Sequence, residues 1–190
     1  MKTFDLVGTP RQEFGKKAAK AFRKENLVPC NIYGNGENCT FTVQVEDVRK
    51  LIYTPDTLVV NLTIGEAKKV AVVKELQFHP VSGALLHIDF LEVTAKKPVT
   101  VEIPVQLEGH AEGVKAGGKL SLEMRKLKVN GIYTNIPNRV IVDVTNLGLG
   151  KKLAVSDIQV EKCKLMNVAD ACVAQVKATR ASATADTAEA

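Results

Sequence analysis

The chain has 190 residues and a mass of 20.6 kDa, enough for one large domain or two small ones, and its 45% hydrophobic and 25% charged make-up excludes a disordered or collagen-like protein. The longest apolar runs, such as Val70–Val73, reach about four residues where a membrane helix needs about 20, and the opening MKTFDLVGTP lacks the apolar stretch of a secretory signal; no membrane partner and a cytoplasmic location are therefore expected. The net charge of +5 is mild, and its distribution says more than its size.

In chain order, Lys2–Val7 alternates around Phe4 and Leu6 and predicts a strand. Arg11 to Lys24 follows with six basic residues (Arg11, Lys16, Lys17, Lys20, Arg23, Lys24) against the single acid Glu13. Residues 1–93 as a whole carry only +1, so the charge is focused, as expected of a face that binds a polyanion. Phe14, Ala18 and Phe22 recur every four residues, with Ala21 and Leu27 alongside, which predicts an amphipathic helix ending at Asn26 and Pro29. Lys16, Lys20, Arg23 and Lys24 share another side of it. Like charges at that spacing repel by a few tenths of a kcal/mol per pair, a cost that an anionic ligand would relieve.

Ile32–Tyr33 runs into the Gly34–Asn35–Gly36 turn and Cys39–Val45 alternates again, a hairpin pattern. A short helix carries Val48, Leu51 and Ile52 inward, with Glu46 and Asp47 suited to its N-terminus. Leu58–Ile64, the turn Gly65–Glu66 and Lys69–Phe78 form a second hairpin, and His87–Val93 is the last strand. Six short strands and two helices predict a closed or nearly closed β-barrel over residues 1–93. Thr94–Pro98 marks a boundary. Beyond it, Val99–Leu107, Leu120–Val129 and Arg139–Val144 alternate between glycine-rich turns, predicting an all-β domain over 94–177 with net +5 over 94–178. The Ala/Thr/Ser-rich tail, 178–190, is expected to be disordered. The fold class is thus mainly β with a few helices (α+β).

Few residues offer chemistry. Cys30, Cys39, Cys163 and Cys172 form two distant C-x8-C pairs, a spacing that does not suit zinc, and are expected to be reduced thiols; no metal or cofactor is expected. Gly113–Lys119 lacks the spacing and following helix of a phosphate loop and reads as a β-turn; His110 is isolated in a loop. His87 and Asp89 lie two apart on one strand, so both point to the same face while Ile88 and Phe90 enter the core. A hydrolase could use such a pair as base and orienter, yet no Ser or Cys nucleophile stands in a recognisable context. As binding residues they need only present donors and acceptors to base edges.

The segments RQEFGKKAAKAFRKENLVP, NIYGNG, QFHPVSG and HIDF, in this order and spacing, resemble the bacterial large-subunit ribosomal protein that binds 5S rRNA, a family that includes the general stress protein Ctc. VTVEIPVQLEG, GVKAGGKL, NIPNRVIVDVTNLGLGKKLAVSDI and VADACVAQV extend the resemblance to residue 177 and match the long, two-domain form. The resemblance implies a non-enzymatic, ribosome-bound protein whose six-stranded N-terminal barrel docks on loop E of 5S rRNA, where irregular pairs widen a minor groove that side chains can read. It implies that Arg11, Lys16, Lys20 and Arg23 meet phosphates and groove, that Tyr33 supplies an aromatic hydrogen bond, and that Gln77, His79, His87 and Asp89 complete the contacts. Ala21, Cys30, Asn31 and Phe78 depart from the family pattern. Alternatives are a cytosolic hydrolase using His87 and Asp89, or a stress protein acting off the ribosome. No motif marks what the second domain touches; ribosomal RNA, neighbouring ribosomal proteins and solvent are all open.

Overall fold

The computed structural model describes residues 2–179. The chain forms two units: the first runs to Val101 and takes in Ile132–Asn138, and the second comprises Glu102–Gly131 and the residues from Arg139 onward.

The first unit is a closed barrel. Its strands are β1 (Lys2–Pro10), β2 (Leu27–Tyr33), β3 (Cys39–Gln44), β4 (Leu58–Ile64), β5 (Ala67–Phe78) and β6 (Leu85–Glu92), in the order β1-β3-β2-β6-β5-β4. Helix α1 (Lys16–Lys24) joins β1 to β2, and α2 (Val45–Tyr53) joins β3 to β4. β1 closes the circle because it has two partners. Lys2–Gly8 run parallel to Leu58–Ile64, and then Thr9 and Pro10 pair antiparallel with Thr42 and Phe41.

Alternation fills the interior. Leu6, Val28, Cys30, Ile32, Phe41, Val43, Val60, Leu62, Ala71, Ile88 and Phe90 are all buried in one cluster, capped by Val48 and Leu51 of α2. With no Trp in the chain, the Phe41–Phe90 pair, centroids 5.7 Å apart and tilted by 33°, is the aromatic centre of this core. Asn138 ties the Ile132–Asn138 segment to the barrel: its side-chain oxygen accepts from the Lys2 backbone N–H at 2.9 Å, and its carbonyl accepts from the Thr57 N–H at 3.3 Å.

Local expectations are corrected at two places in this unit. Gly15 has φ +96° and ends the run before the helix, so α1 starts at Lys16 and Phe14 stands outside it, 64% exposed. α1 contributes no buried residue. Pro29 is not a helix terminator but a buried residue of β2; the β2–β6 ladder begins only at Cys30, so no donor toward β6 is needed at Pro29.

The second unit has two sheets. One holds β7 (Val99–Glu108, of which the residues from Glu102 onward belong to this unit), β9 (Lys126–Gly131), β10 (Val140–Asp143) and β12 (Lys164–Leu165) in the order β10-β7-β9-β12, with β10 parallel to β7. The other holds β8 (Lys119–Leu122), β11 (Lys152–Ala154) and β13 (Cys172–Lys177) in the order β11-β13-β8. The alternating run Leu120–Val129 is therefore two strands in different sheets. The Glu123 and Met124 N–H groups both donate to the Val173 carbonyl and bend the chain between them. The expected β-turn at Gly113–Lys119 includes a helical turn, α3 (Glu112–Lys115), packed so closely that a Cβ on Gly113 would lie 2.6 Å from the Gly148 carbonyl carbon. Of the expected disordered tail, residues 180–190 lie outside the described residues.

Candidate nucleic-acid interface

Register assembles the site on the outside of the barrel. Asn31 of β2 pairs with Asp89 of β6, and Glu75 and Gln77 of β5 pair with Asp89 and His87. Because side chains two apart on a strand share a face, Asn31 and Tyr33, His87 and Asp89, and Glu75 and Gln77 form one polar field across three neighbouring strands. Ile88 and Phe90 between them are fully buried. His87 Nδ1 lies 3.2 Å from Asp89 Oδ1, with about a fifth of each side chain exposed.

The field holds both signs of charge. Burial lowers the His87 pKa from its ordinary 6.5; Asp89 opposes that shift, while Arg11 and Arg23 add to it. His87 is therefore neutral at pH 7, keeping both an acceptor and a donor. Burial raises the Tyr33 phenol, and the carboxylates of Asp89 and Glu75 raise it further, so it too remains a neutral hydroxyl. Two polar atoms of the field are buried without a hydrogen-bond partner: Arg11 Nε and Asn31 Oδ1. Unmet groups of this kind cost about 1–3 kcal/mol each and are suited to a ligand that completes them.

α1 flanks the field and is electrostatically at odds with itself. Its first turn has no acid and two lysines, Lys16 and Lys17, at the end where the helix dipole favours anions. Among the described residues, no acid pairs with Lys16 or Lys20, both exposed. Arg23 differs. Its Nε and Nη2 donate to the Leu86 carbonyl at 3.1 and 3.0 Å, clamping α1 to β6.

His79, expected among the contacts, lies off the sheet. It follows β5 in the connecting turn, where its Nδ1 accepts from the Val81 and Ser82 N–H groups at 3.3 and 3.2 Å. That leaves only Nε2 for a ligand. Arg11, Tyr33, Gln77, His87, Asp89 and α1 otherwise gather on one side of the barrel. Asn31 and Glu75 were missed as members, although the core residues flanking Asn31 and the two-residue spacing of Glu75 from Gln77 both signal an outward face.

The hydrolase alternative would need a nucleophile, and the thiol that shares the β2–β6 ladder with this field is withdrawn from it. Cys30, paired with Ile88 across the ladder, points inward and is fully buried; burial pushes its thiol far above the ordinary range despite the opposing pull of Arg11. Among the described residues, no group of three or more His, Cys, Asp or Glu is placed to hold a metal ion.

Comparison with known proteins gives two family matches: the ribosomal L25p family over residues 6–90, and the ribosomal protein TL5 C-terminal domain over residues 98–180. A large ribosomal subunit protein bL25 of Porphyromonas gingivalis is 55% identical over 184 residues, covering 96% of each chain. Proteins of the same name from Azobacteroides pseudotrichonymphae and Parabacteroides distasonis are 53% identical over 181 residues and 51% identical over 187, covering 95–96% of this chain and 96% of theirs. These relatives carry the name of a ribosomal protein and not of an enzyme.

Proposed function

Because the chain belongs to the ribosomal L25p family, we propose that it is a structural constituent of the large ribosomal subunit in the cytoplasm, and that its barrel docks on 5S rRNA at loop E. The observation that carries this reading is the polar field of Asn31, Tyr33, Gln77, His87 and Asp89 set beside the unpaired cations of α1. Lys16 and Lys20 meet phosphates, which supplies affinity without sequence. Asp89 accepts from base amino groups, and neutral His87, Tyr33 and Gln77 present both donors and acceptors to base edges and 2′-hydroxyls in a widened minor groove. Residues 1–93 form the RNA-binding domain in this reading, and the domain from residue 94 to 177, net positive, faces neighbouring ribosomal RNA or protein.

The test is capture from lysate with the full chain, with and without RNase, followed by filter binding to purified 5S rRNA, to 5S rRNA whose loop E is replaced by regular pairs, and to a tRNA. We expect 5S rRNA to be captured and the loop E replacement to weaken binding at least tenfold. Equal binding to all three RNAs would reduce the site to a non-specific cation patch.

A further inference from the structure

Phe14 is the large apolar residue that the fold of this segment leaves without a job. It sits between Arg11 and α1, 64% exposed, and the positive φ of Gly15 holds it off the helix whose stripe it was expected to join. The Arg11 guanidinium lies over its ring, 5.4 Å from the centroid, and so covers and orients one face. Beside the ring a shallow, open depression is bounded by Glu13, Lys17 and the methyl groups of Ala18 and Ala21. At Ala18 and Ala21, α1 presents only methyl groups to it. A flat aromatic ring with a negative group attached fits this combination: an oriented ring, small residues beside it, and a lysine that shares the rim with Glu13.

We propose that Phe14 is a stacking platform for one unpaired nucleobase of a bound RNA, with Lys17 facing the phosphate of the same nucleotide. The site rests on the RNA-binding reading above and extends it, because stacking needs a base splayed out of pairing, whereas the barrel field reads bases within a helix. It adds to affinity without adding sequence preference, since every base has a π-face.

The chain has no tryptophan, so Phe14→Trp in the full-length protein is a single fluorescent reporter at the site. Titrated with oligoadenylate at low salt, its emission should be quenched; inorganic polyphosphate at the same phosphate concentration should leave it nearly unchanged. Equal response to both, or to neither, overturns the stacking site whatever the fate of the 5S rRNA reading. Against 5S rRNA, Phe14→Leu should bind about tenfold more weakly than the parent with an unaltered salt slope, and Phe14→Trp should bind at least as tightly as the parent. Circular dichroism should show both variants folded, the residue being exposed. If the parent binds 5S rRNA and Phe14→Leu binds equally well, the stacking site falls and the docking reading stands. If the parent does not bind 5S rRNA while oligoadenylate still quenches the emission of Phe14→Trp and polyphosphate does not, the docking reading falls and the stacking site stands.

Discussion

Arg23→Ala separates two roles that the sequence merges in one cluster of cations. Its guanidinium chelates the Leu86 carbonyl through two hydrogen bonds of 3.1 and 3.0 Å, and α1 has no buried residue of its own to hold it against the barrel. A hydrogen bond from a charged donor contributes about 1.5–3 kcal/mol when shielded, and roughly 1 kcal/mol is the fitting figure for this exposed clamp. For a unit of about 100 residues, 1 kcal/mol moves the melting temperature by about 4–8 °C. Arg23→Ala should therefore melt that much lower, while Lys20→Ala should melt with the parent. In binding to 5S rRNA the order reverses. Lys20→Ala should lower the slope of log affinity against log salt by about 0.7–0.9, one phosphate contact, and Arg23→Ala should lower it by clearly less. Arg23→Lys keeps the charge but cannot donate two parallel bonds; it should melt like the alanine variant and keep the parental slope. Thermal melting by circular dichroism and filter binding at four salt concentrations measure both quantities. If Arg23→Ala melts with the parent and loses as much slope as Lys20→Ala, the clamp is incidental and Arg23 is one more phosphate ligand.

Other outcomes follow from the same geometry. Asp89→Ala should cost about 1–3 kcal/mol in 5S rRNA affinity, the value of a good base contact, with the salt slope unchanged; equal or tighter binding would remove the base-reading role of this face. Folded His87 titrates below its ordinary 6.5, so as pH falls through 6.5 toward the lower folded value the unfolded chain takes up the proton first and stability drops. Urea midpoints at pH 7 and pH 5.5 should show that drop for the parent and a smaller one for His87→Gln. Gly34→Ala should destabilise the barrel by roughly 1–3 kcal/mol in urea titration, because Gly34 has φ +136° and its Cβ would lie 2.9 Å from the Glu92 carbonyl oxygen.

Alternation is a sound guide wherever one side of a strand meets the core, as at Val140–Asp143 or Ile88 and Phe90, because burial on one face enforces period two. It could not say which strands pair. Leu120–Val129 keeps the pattern through a bend that sends its halves to different sheets. Periodicity also placed Phe14 on a helix stripe that a single glycine dihedral cancels. At the site, the cations and the His87–Asp89 pair were legible because residue type and spacing carry them. The Arg23 clamp and the His79 turn were not. Each uses a main-chain group, Leu86 O or the Val81 and Ser82 N–H groups, whose availability depends on the path of the chain and not on any residue's identity. Asn31 entered the field only through its register with Asp89.

The return of Ile132–Asn138 to the barrel has a consequence for how the protein is born. Lys2 and Asn138 are 136 positions apart, yet the bond between them fastens the first strand of the barrel. At about 5–20 residues per second, synthesis from Val101 to Asn138 takes roughly 2–7 s. During that interval all six barrel strands exist and can pair, but the two hydrogen bonds that Asn138 makes to Lys2 and Thr57 do not. Nascent chains arrested between these points should hold a barrel that proteases open more readily than the released one, and the gain of resistance should track the emergence of Asn138 and not of Glu92. The order of assembly is thus set by where one short segment lies in the reading direction of the message.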